Sequence, residues 1–173
     1  MNRLGRGMLI ASWVLLLALL FALFTSLLEG GRNPNREPEL RSPGDGALEV
    51  VLLPNRQGHY LVSGHINGYA VTFMVDTGAT DVAVPEPLAQ SASMSMGHAG
   101  VGRTANGDVV YYSSRIDRLD IGGIMLTDVP ASIMPTMTGS EVLLGMSALR
   151  RLGLLQQGRK LTLRLPAADP HQQ

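Results

Sequence analysis

The chain has 173 residues, a formal net charge of zero and no cysteine. The length suits one compact domain with some accessory sequence, and the balanced charge does not indicate a nucleic-acid partner or an acidic one. The absence of cysteine excludes a disulfide framework, a thiol nucleophile and a cysteine-ligated zinc site.

The N-terminal region contains one long uncharged apolar segment, residues 8–28 (MLIASWVLLLALLFALFTSLL). A helix of this length spans roughly 30 Å, the thickness of the hydrocarbon core of a bilayer, so the segment predicts a transmembrane helix. The alternative, a cleaved signal peptide, has an apolar core of about 7–15 residues and a small-x-small cleavage site, which the end of this segment lacks. Arg3 and Arg6 precede the helix, which predicts a cytoplasmic N-terminus and an extracytoplasmic remainder.

Residues 29–46 (EGGRNPNREPELRSPGDG) are rich in proline, glycine and charge and have no apolar periodicity, which predicts a solvated linker. From Ala47 the sequence changes to short β-rich runs separated by turn signals, among them Asn67-Gly68, a strong hairpin signal. Strands are predicted at 48–53, 59–66, 69–75, 108–113, 115–121, 124–129 and 160–165, and short helices at 85–92 and 146–152. The domain is therefore expected to span 47–165, with a disordered tail at 166–173.

Many short strands with tight turns and no alternation of strands and long helices predict an all-β fold, a small closed β-barrel with one or two short helices. The informative stretch for chemistry is where the strand at 69–75 runs directly into Asp76, which Thr77 and Gly78 follow. A turn-capping aspartate is the alternative for a bare Asp-Thr-Gly. The preceding apolar strand favours a site, because it fixes the carboxylate where the strand leaves the core. Gly78 would allow a second copy of the loop to approach closely, and Thr77 could hydrogen-bond across to it.

These residues resemble a known family, the retropepsin-like aspartic proteases, including its membrane-anchored bacterial branch. The resemblance covers about Gly58 to Leu165 and is carried by three pieces in order: VDTGAT at 75–80, TANG at 104–107 where the family has its flap hairpin, and VLLGM at 142–146, similar to the hydrophobic element beneath the catalytic loop. It implies catalytic roles for Asp76, Thr77 and Gly78. It implies substrate contacts from Ala79 and from the flap residues Thr104, Ala105, Asn106 and Gly107.

Hydrolysis by this chemistry needs two carboxylates that share a proton: one activates water and the other donates to the carbonyl oxygen. Two carboxylates about 3 Å apart cannot both ionise. The sequence has no second Asp-Thr-Gly or Asp-Ser-Gly, and the other aspartates of the domain are expected to be solvated or to cap turns: Asp81, Asp108, Asp117, Asp120 and Asp128. The partner carboxylate is therefore expected to be Asp76 of a second subunit in a two-fold homodimer.

Neither a metal nor a cofactor is expected. The four histidines do not have metal-ligand spacing, and the Gly100-Val101-Gly102 stretch lacks the strand-to-helix context of a phosphate loop. Tyr111 and Tyr112 are candidates for the cleft but fit ordinary strand positions equally well. The sequence thus predicts an aspartic endopeptidase of the bacterial inner membrane, with a peptide or protein substrate. The alternative is a non-catalytic dimeric domain of the same fold that binds an extended partner segment.

Overall fold

The structure is a computed structural model that describes residues 3–30, 32–104 and 107–167. It contains two compact units, residues 1–32 and residues 33–173. The first unit is the helix α1, Arg3–Gly30. Its described side chains from Met8 to Phe24 are exposed and, apart from Ser12, apolar, and the hydroxyl of Ser12 donates within the helix to the carbonyl of Met8 (2.9 Å). Among the described residues, one helical stretch, Gly7–Phe24, is long and apolar enough to cross a membrane, and it fits a membrane anchor or a signal sequence.

The described residues of the second unit form eleven strands and two short helices. The strands are β1 (Leu40–Arg41), β2 (Leu48–Leu52), β3 (Leu61–Ile66), β4 (Tyr69–Val75), β5 (Val82–Pro85), β6 (Ala99–Thr104), β7 (Gly107–Ile121), β8 (Ile124–Met134), β9 (Glu141–Leu144), β10 (Gly153–Gln157) and β11 (Lys160–Leu165). The helices are α2 (Glu86–Ser91) and α3 (Met146–Leu149). The predicted all-β class is confirmed.

The larger sheet has seven strands in the order β3-β4-β9-β5-β8-β7-β6. Strand β3 also pairs with β7, so the pairings from β3 through β7 return to their starting strand and leave β6 outside this ring. Two of the pairings are parallel, β4 with β9 and β5 with β8, and they bring the end of β4 beside the end of β9. The smaller sheet has the order β1-β2-β11-β10, with β10 at its free edge.

Alternate residues of the strands supply the core, because successive side chains of a strand point to opposite faces of the sheet. Phe73 on β4 is fully buried, and its neighbours on the core side come from most other strands and from α3. Gly64 on β3 shows how closely the strands pack, since a Cβ there would lie 2.0 Å from the carbonyl oxygen of Asp120 on β7. The β3–β4 hairpin turns at Asn67-Gly68 as predicted, and both residues have positive φ.

Several elements differ from the prediction. The strands expected at 108–113 and 115–121 form one continuous strand, β7, because Ser114 stays in register with Ala131 of β8. The helix expected at 146–152 ends at Leu149. Five strands are not among the predicted ones: β1, β5, β6, β9 and β10. The predicted disordered tail falls mainly at 168–173, outside the described residues, and the division into anchor, linker, domain and tail stays a prediction.

The expectation that residues 29–46 are solvated is wrong for part of the segment. Asn33 and Asn35 are buried, and β1 pairs with β2. Pro38 and Leu40 lie against the turn between β7 and β8, where a Cβ on Gly122 would lie 2.8 Å from Cγ of Pro38. The segment therefore packs on the domain between Asn33 and Leu40, because Asn33 bonds to the hydroxyl of Ser63 and the Asn35 amide bonds to backbone groups of Leu53 and Leu61. Residues 41–46 are exposed, as predicted.

Candidate active site

The Asp-Thr-Gly loop begins where β4 leaves the larger sheet. The N–H of Asp76 donates to the carbonyl of Leu144 on β9 (3.1 Å), which continues the parallel β4–β9 pairing by one residue. Within the loop, the N–H of Gly78 donates to Oδ1 of Asp76 (2.8 Å), and the N–H of Ala79 donates to the Asp76 carbonyl (3.3 Å). The Asp76 carboxylate is therefore held at a partly buried strand end, while Thr77 and Gly78 are exposed.

Gly145 packs closely against the backbone of this loop. A Cβ on Gly145 would lie 2.1 Å from the carbonyl oxygen of Asp81 and 2.8 Å from that of Ala79, so only glycine fits at this position. The two residues after it extend the contact, because the N–H of Met146 donates to the Ala79 carbonyl (2.8 Å) and that of Ser147 to the Thr80 carbonyl (2.9 Å). Residues 144–147 thus fix the backbone of the loop at both of its ends.

The hairpin of β6 and β7 lies on the other side of the loop. Its register runs from Ala99 opposite Tyr112 to Thr104 opposite Gly107, and the predicted flap residues Ala105 and Asn106 between them lie outside the described residues. The ring of Tyr111 packs on the glycines of β6, since a Cβ on Gly100 would lie 2.6 Å from its Cζ. Gly100 and Gly102 therefore leave the space that the ring of Tyr111 occupies.

A cavity of about 620 Å³ lies between the Asp-Thr-Gly loop and the β6–β7 hairpin. Its lining from the loop is Asp76, Gly78, Ala79, Thr80 and Asp81; from the hairpin Val101, Gly102, Arg103, Val109 and Tyr111; and from the remaining strands Ala83, Ser132, Met134 and Leu143. Of the predicted site residues, the structure thus brings Asp76, Gly78 and Ala79 together around one space.

The remaining predicted site residues lie elsewhere. Thr77 borders a second hollow of about 340 Å³, together with Met146 and Arg150. Gly107 does not line the larger cavity, although its strand does. The side chain of Thr104, like Ala105 and Asn106, falls outside the described part of the chain.

Sequence reasoning missed several residues of the cavity. Tyr111, which the sequence fits to an ordinary strand position as well as to the cleft, lines the cavity, and the signal for it is its alternation with Val109 opposite a glycine-rich strand. Asp81, expected to be solvated or to cap a turn, instead lines the cavity and accepts a hydrogen bond from Oγ of Ser132 (3.1 Å). The sequence holds no signal for this contact, because Ser132 is 51 residues away.

Comparisons with known proteins agree with this arrangement. Residues 62–151, more than half of the chain, match the family described as "gag-polyprotein putative aspartyl protease". The chain is 28% identical over 168 residues to an uncharacterized protein in the cobV 5' region of a Sinorhizobium species, covering 90% of this chain and 72% of that protein. It is 32% identical over 63 residues to the uncharacterized protein RP867 of Rickettsia prowazekii (strain Madrid E), covering 35% of this chain and 27% of that protein.

The solved structures include a retropepsin-like aspartic protease from Rickettsia conorii, which matches with a TM-score of 0.57 at 24% identity over 73% of this chain and 93% of that chain. A ring of short strands that carries a strand-end Asp-Thr-Gly loop beneath a hairpin is the architecture of the retropepsin-like class. With more than half of its residues matched by the family, this chain belongs to the retropepsin-like aspartic proteases.

Proposed function

We propose that the protein is an aspartic endopeptidase that hydrolyses peptide bonds with a water activated by the Asp76 carboxylates of two subunits. The observation that carries this proposal is the position of Asp76. Its carboxylate stands at the end of β4 on the wall of a 620 Å³ cavity, and the hairpin of β6 and β7 forms the opposite wall. A cleft bounded by a hairpin suits an extended peptide, because a hairpin can close over the chain and exclude water.

The Asp-Thr-Gly loop is single in the chain, so the second carboxylate would come from a second copy. Thr77 and Gly78 are exposed and available to the same loop of that copy. In the pair, one carboxylate would take a proton from water as its oxygen bonds to the carbonyl carbon, and the other would donate its proton to the carbonyl oxygen. Collapse of this intermediate would break the C–N bond and return a proton to the amine.

Strand β10 supports pairing of two chains. It is the free edge of the smaller sheet and every one of its residues is exposed, including Leu154 and Leu155 at 40% and 54%. It follows α3, whose first residues bond to the catalytic loop. An unprotected edge strand with exposed leucines and no charge or proline is a surface that another strand can extend. We propose that the dimer contact lies at this edge.

The anchor fits the same proposal. The helix α1 would hold the protease domain at the bacterial inner membrane, with its N-terminus in the cytoplasm and residues 47–165 on the extracytoplasmic side. Confinement in a membrane raises the effective concentration of the chains and so favours dimers without any new contact.

Substitution of Asp76 tests the catalytic part. Asp76→Asn keeps the size of the side chain and its acceptor for the N–H of Gly78, but it removes the ionisable group. We expect less than about one per cent of the wild-type cleavage of a mixed peptide library between pH 3 and 7, with a bell-shaped pH–rate profile for the wild type. The matched control is Asp117→Asn, at an exposed position on β7, which makes the same charge change and should retain activity. Cleavage by the Asp76 variant at the wild-type rate would place the activation of water elsewhere.

Dilution tests the two-subunit site. Specific activity of the full chain in detergent micelles should fall as the protein is diluted, and sedimentation of the same samples should show the dimer population falling in parallel. Constant activity per chain in samples that sediment as monomers would refute a shared site. A dimer that binds extended peptides but cleaves none over the whole pH range would identify the non-catalytic interaction domain instead.

A further inference from the structure

The cavity beside Asp76 holds a second carboxylate, that of Asp81. This residue precedes β5, and its backbone is fixed on both sides. Its carbonyl oxygen lies against Gly145, and the N–H of the following Val82 donates to Oγ of Ser147 (3.1 Å). The side chain is partly buried and lines the cavity. The charge of Asp81 therefore has a fixed place in the space proposed for the substrate.

Within the part of the chain that the structure describes, the Asp81 carboxylate has one hydrogen-bond donor and no cation. Oγ of Ser132, which is 9% exposed, donates to its Oδ2 at 3.1 Å. Three other aspartates of the domain each have an arginine or histidine within 3.5 Å: Asp108, Asp120 and Asp128. Among the ion pairs between described residues, none includes Asp81. Because a carboxylate accepts up to about four hydrogen bonds, most of its acceptor capacity remains open to the cavity.

We infer that Asp81 selects a substrate with a lysine or arginine side chain close to the scissile bond, an inference that rests on the proposed function. The ammonium or guanidinium group would supply the cation that the protein does not. The apolar walls beside it, from Ala83, Met134 and Leu143, suit the methylene stem of such a side chain. A ligand charge that pairs with a fixed, partly desolvated carboxylate contributes more to discrimination than one at an exposed rim.

Among the described residues of the cavity wall, Arg103 is the one cation beside the carboxylates of Asp76 and Asp81, and it would favour the opposite substrate charge. Its side chain is 88% exposed and already lies 3.5 Å from Asp108 on the same hairpin. An exposed, paired guanidinium on a hairpin is screened by water and salt, so it discriminates weakly between substrates. The fixed carboxylate of Asp81 therefore determines the charge preference of the cavity.

A two-fold dimer makes this preference symmetric. Each subunit contributes one Asp81 at the same distance from the shared catalytic pair. The cleavage pattern should therefore show basic residues at one position on each side of the scissile bond, equally far from it. A site built within one chain would give the preference on one side only.

The experiment uses the full chain in detergent micelles and two synthetic pools of 12-residue peptides. The pools are identical except that citrulline replaces arginine and acetyl-lysine replaces lysine in the second, which removes the positive charges at nearly constant shape. Mass spectrometry gives the cleavage sites and the relative kcat/KM. We expect the wild type to cleave the basic pool about tenfold faster or more, and Asp81→Asn to bring this ratio close to one. Ser132→Ala, which frees the carboxylate, should lower the ratio in a second, independent variant. Asp117→Asn should keep the wild-type ratio.

Equal cleavage of the two pools by the wild type, or an unchanged ratio in Asp81→Asn, would overturn the inference. Loss of all cleavage in Asp81→Asn, as complete as in Asp76→Asn, would also overturn it, because Asp81 would then be half of a catalytic pair within one chain. If the wild type cleaves neither pool, fluorescein-labelled pools are bound to it instead. Tighter binding of the basic pool that Asp81→Asn abolishes would support the inference while the proposed function fails, and equal binding of both pools would reject it.

Discussion

Asn35 connects the segment before the domain to two strand ends, and its removal should weaken the domain measurably. Its side-chain amide donates to the carbonyls of Leu53 (2.9 Å) and Leu61 (2.5 Å), and its Oδ1 accepts from the N–H of Leu53 (2.8 Å). Asn35→Ala removes three hydrogen bonds of a buried side chain. At about 1 kcal/mol each, the free energy of unfolding should fall by about 3 kcal/mol. In a domain of this size that is a fall in Tm of roughly 6–12 °C.

The assay is pulse proteolysis of the full chain in increasing urea, which reports unfolding of the domain without interference from the helical signal of α1. Asn35→Asp provides a second test, since it keeps an acceptor for the N–H of Leu53 but places an oxygen against two carbonyl oxygens. Gln90→Ala is the control, at an exposed position on α2, and should stay within about 0.5 kcal/mol of the wild type. A urea midpoint of Asn35→Ala equal to that of the control would refute the reasoning and return residues 33–46 to the role of a solvated linker.

Gly145→Ala should lower kcat/KM about 100-fold, because a Cβ 2.1 Å from the Asp81 carbonyl displaces the catalytic loop, and steady-state kinetics on a cleaved peptide measures this. A loss within twofold would show that the loop tolerates the shift. Gly100→Ala places a Cβ 2.6 Å from Cζ of Tyr111 and should cost roughly tenfold in kcat/KM, whereas Gly102→Ala makes an ordinary 3.5 Å contact and should cost less. In a Tyr111→Ala background the Gly100 substitution should have no further effect, and additive losses would disprove the contact.

The short strands were predictable wherever apolar residues alternate over five or more positions. Strands β2, β4 and β11 have this pattern, and their predicted bounds agree with the structure to within one residue. Strand β5 is only four residues long, is buried throughout and ends at Pro85, so it shows no alternation. Strand β10 (GLLQQ) is exposed throughout, and an exposed edge needs no apolar pattern. Both segments form strands because their backbones hydrogen-bond to neighbouring strands, β5 to β8 and β9, and β10 to β11.

The sequence by itself determined the all-β class, the apolar N-terminal helix and the position of Asp76, because each depends on residues that are adjacent or nearly adjacent in the chain. An apolar strand that runs into Asp-Thr-Gly is a local pattern, and so is an uncharged stretch long enough to cross a bilayer. Only the tertiary structure decided what surrounds the carboxylate. Asp81 meets Ser132 because β5 and β8 lie side by side, and Asn35 is buried because two strand ends leave one N–H and two carbonyls that its amide can bond. Such contacts join residues far apart in the chain, and their partners are fixed by the strand order, which no single segment encodes.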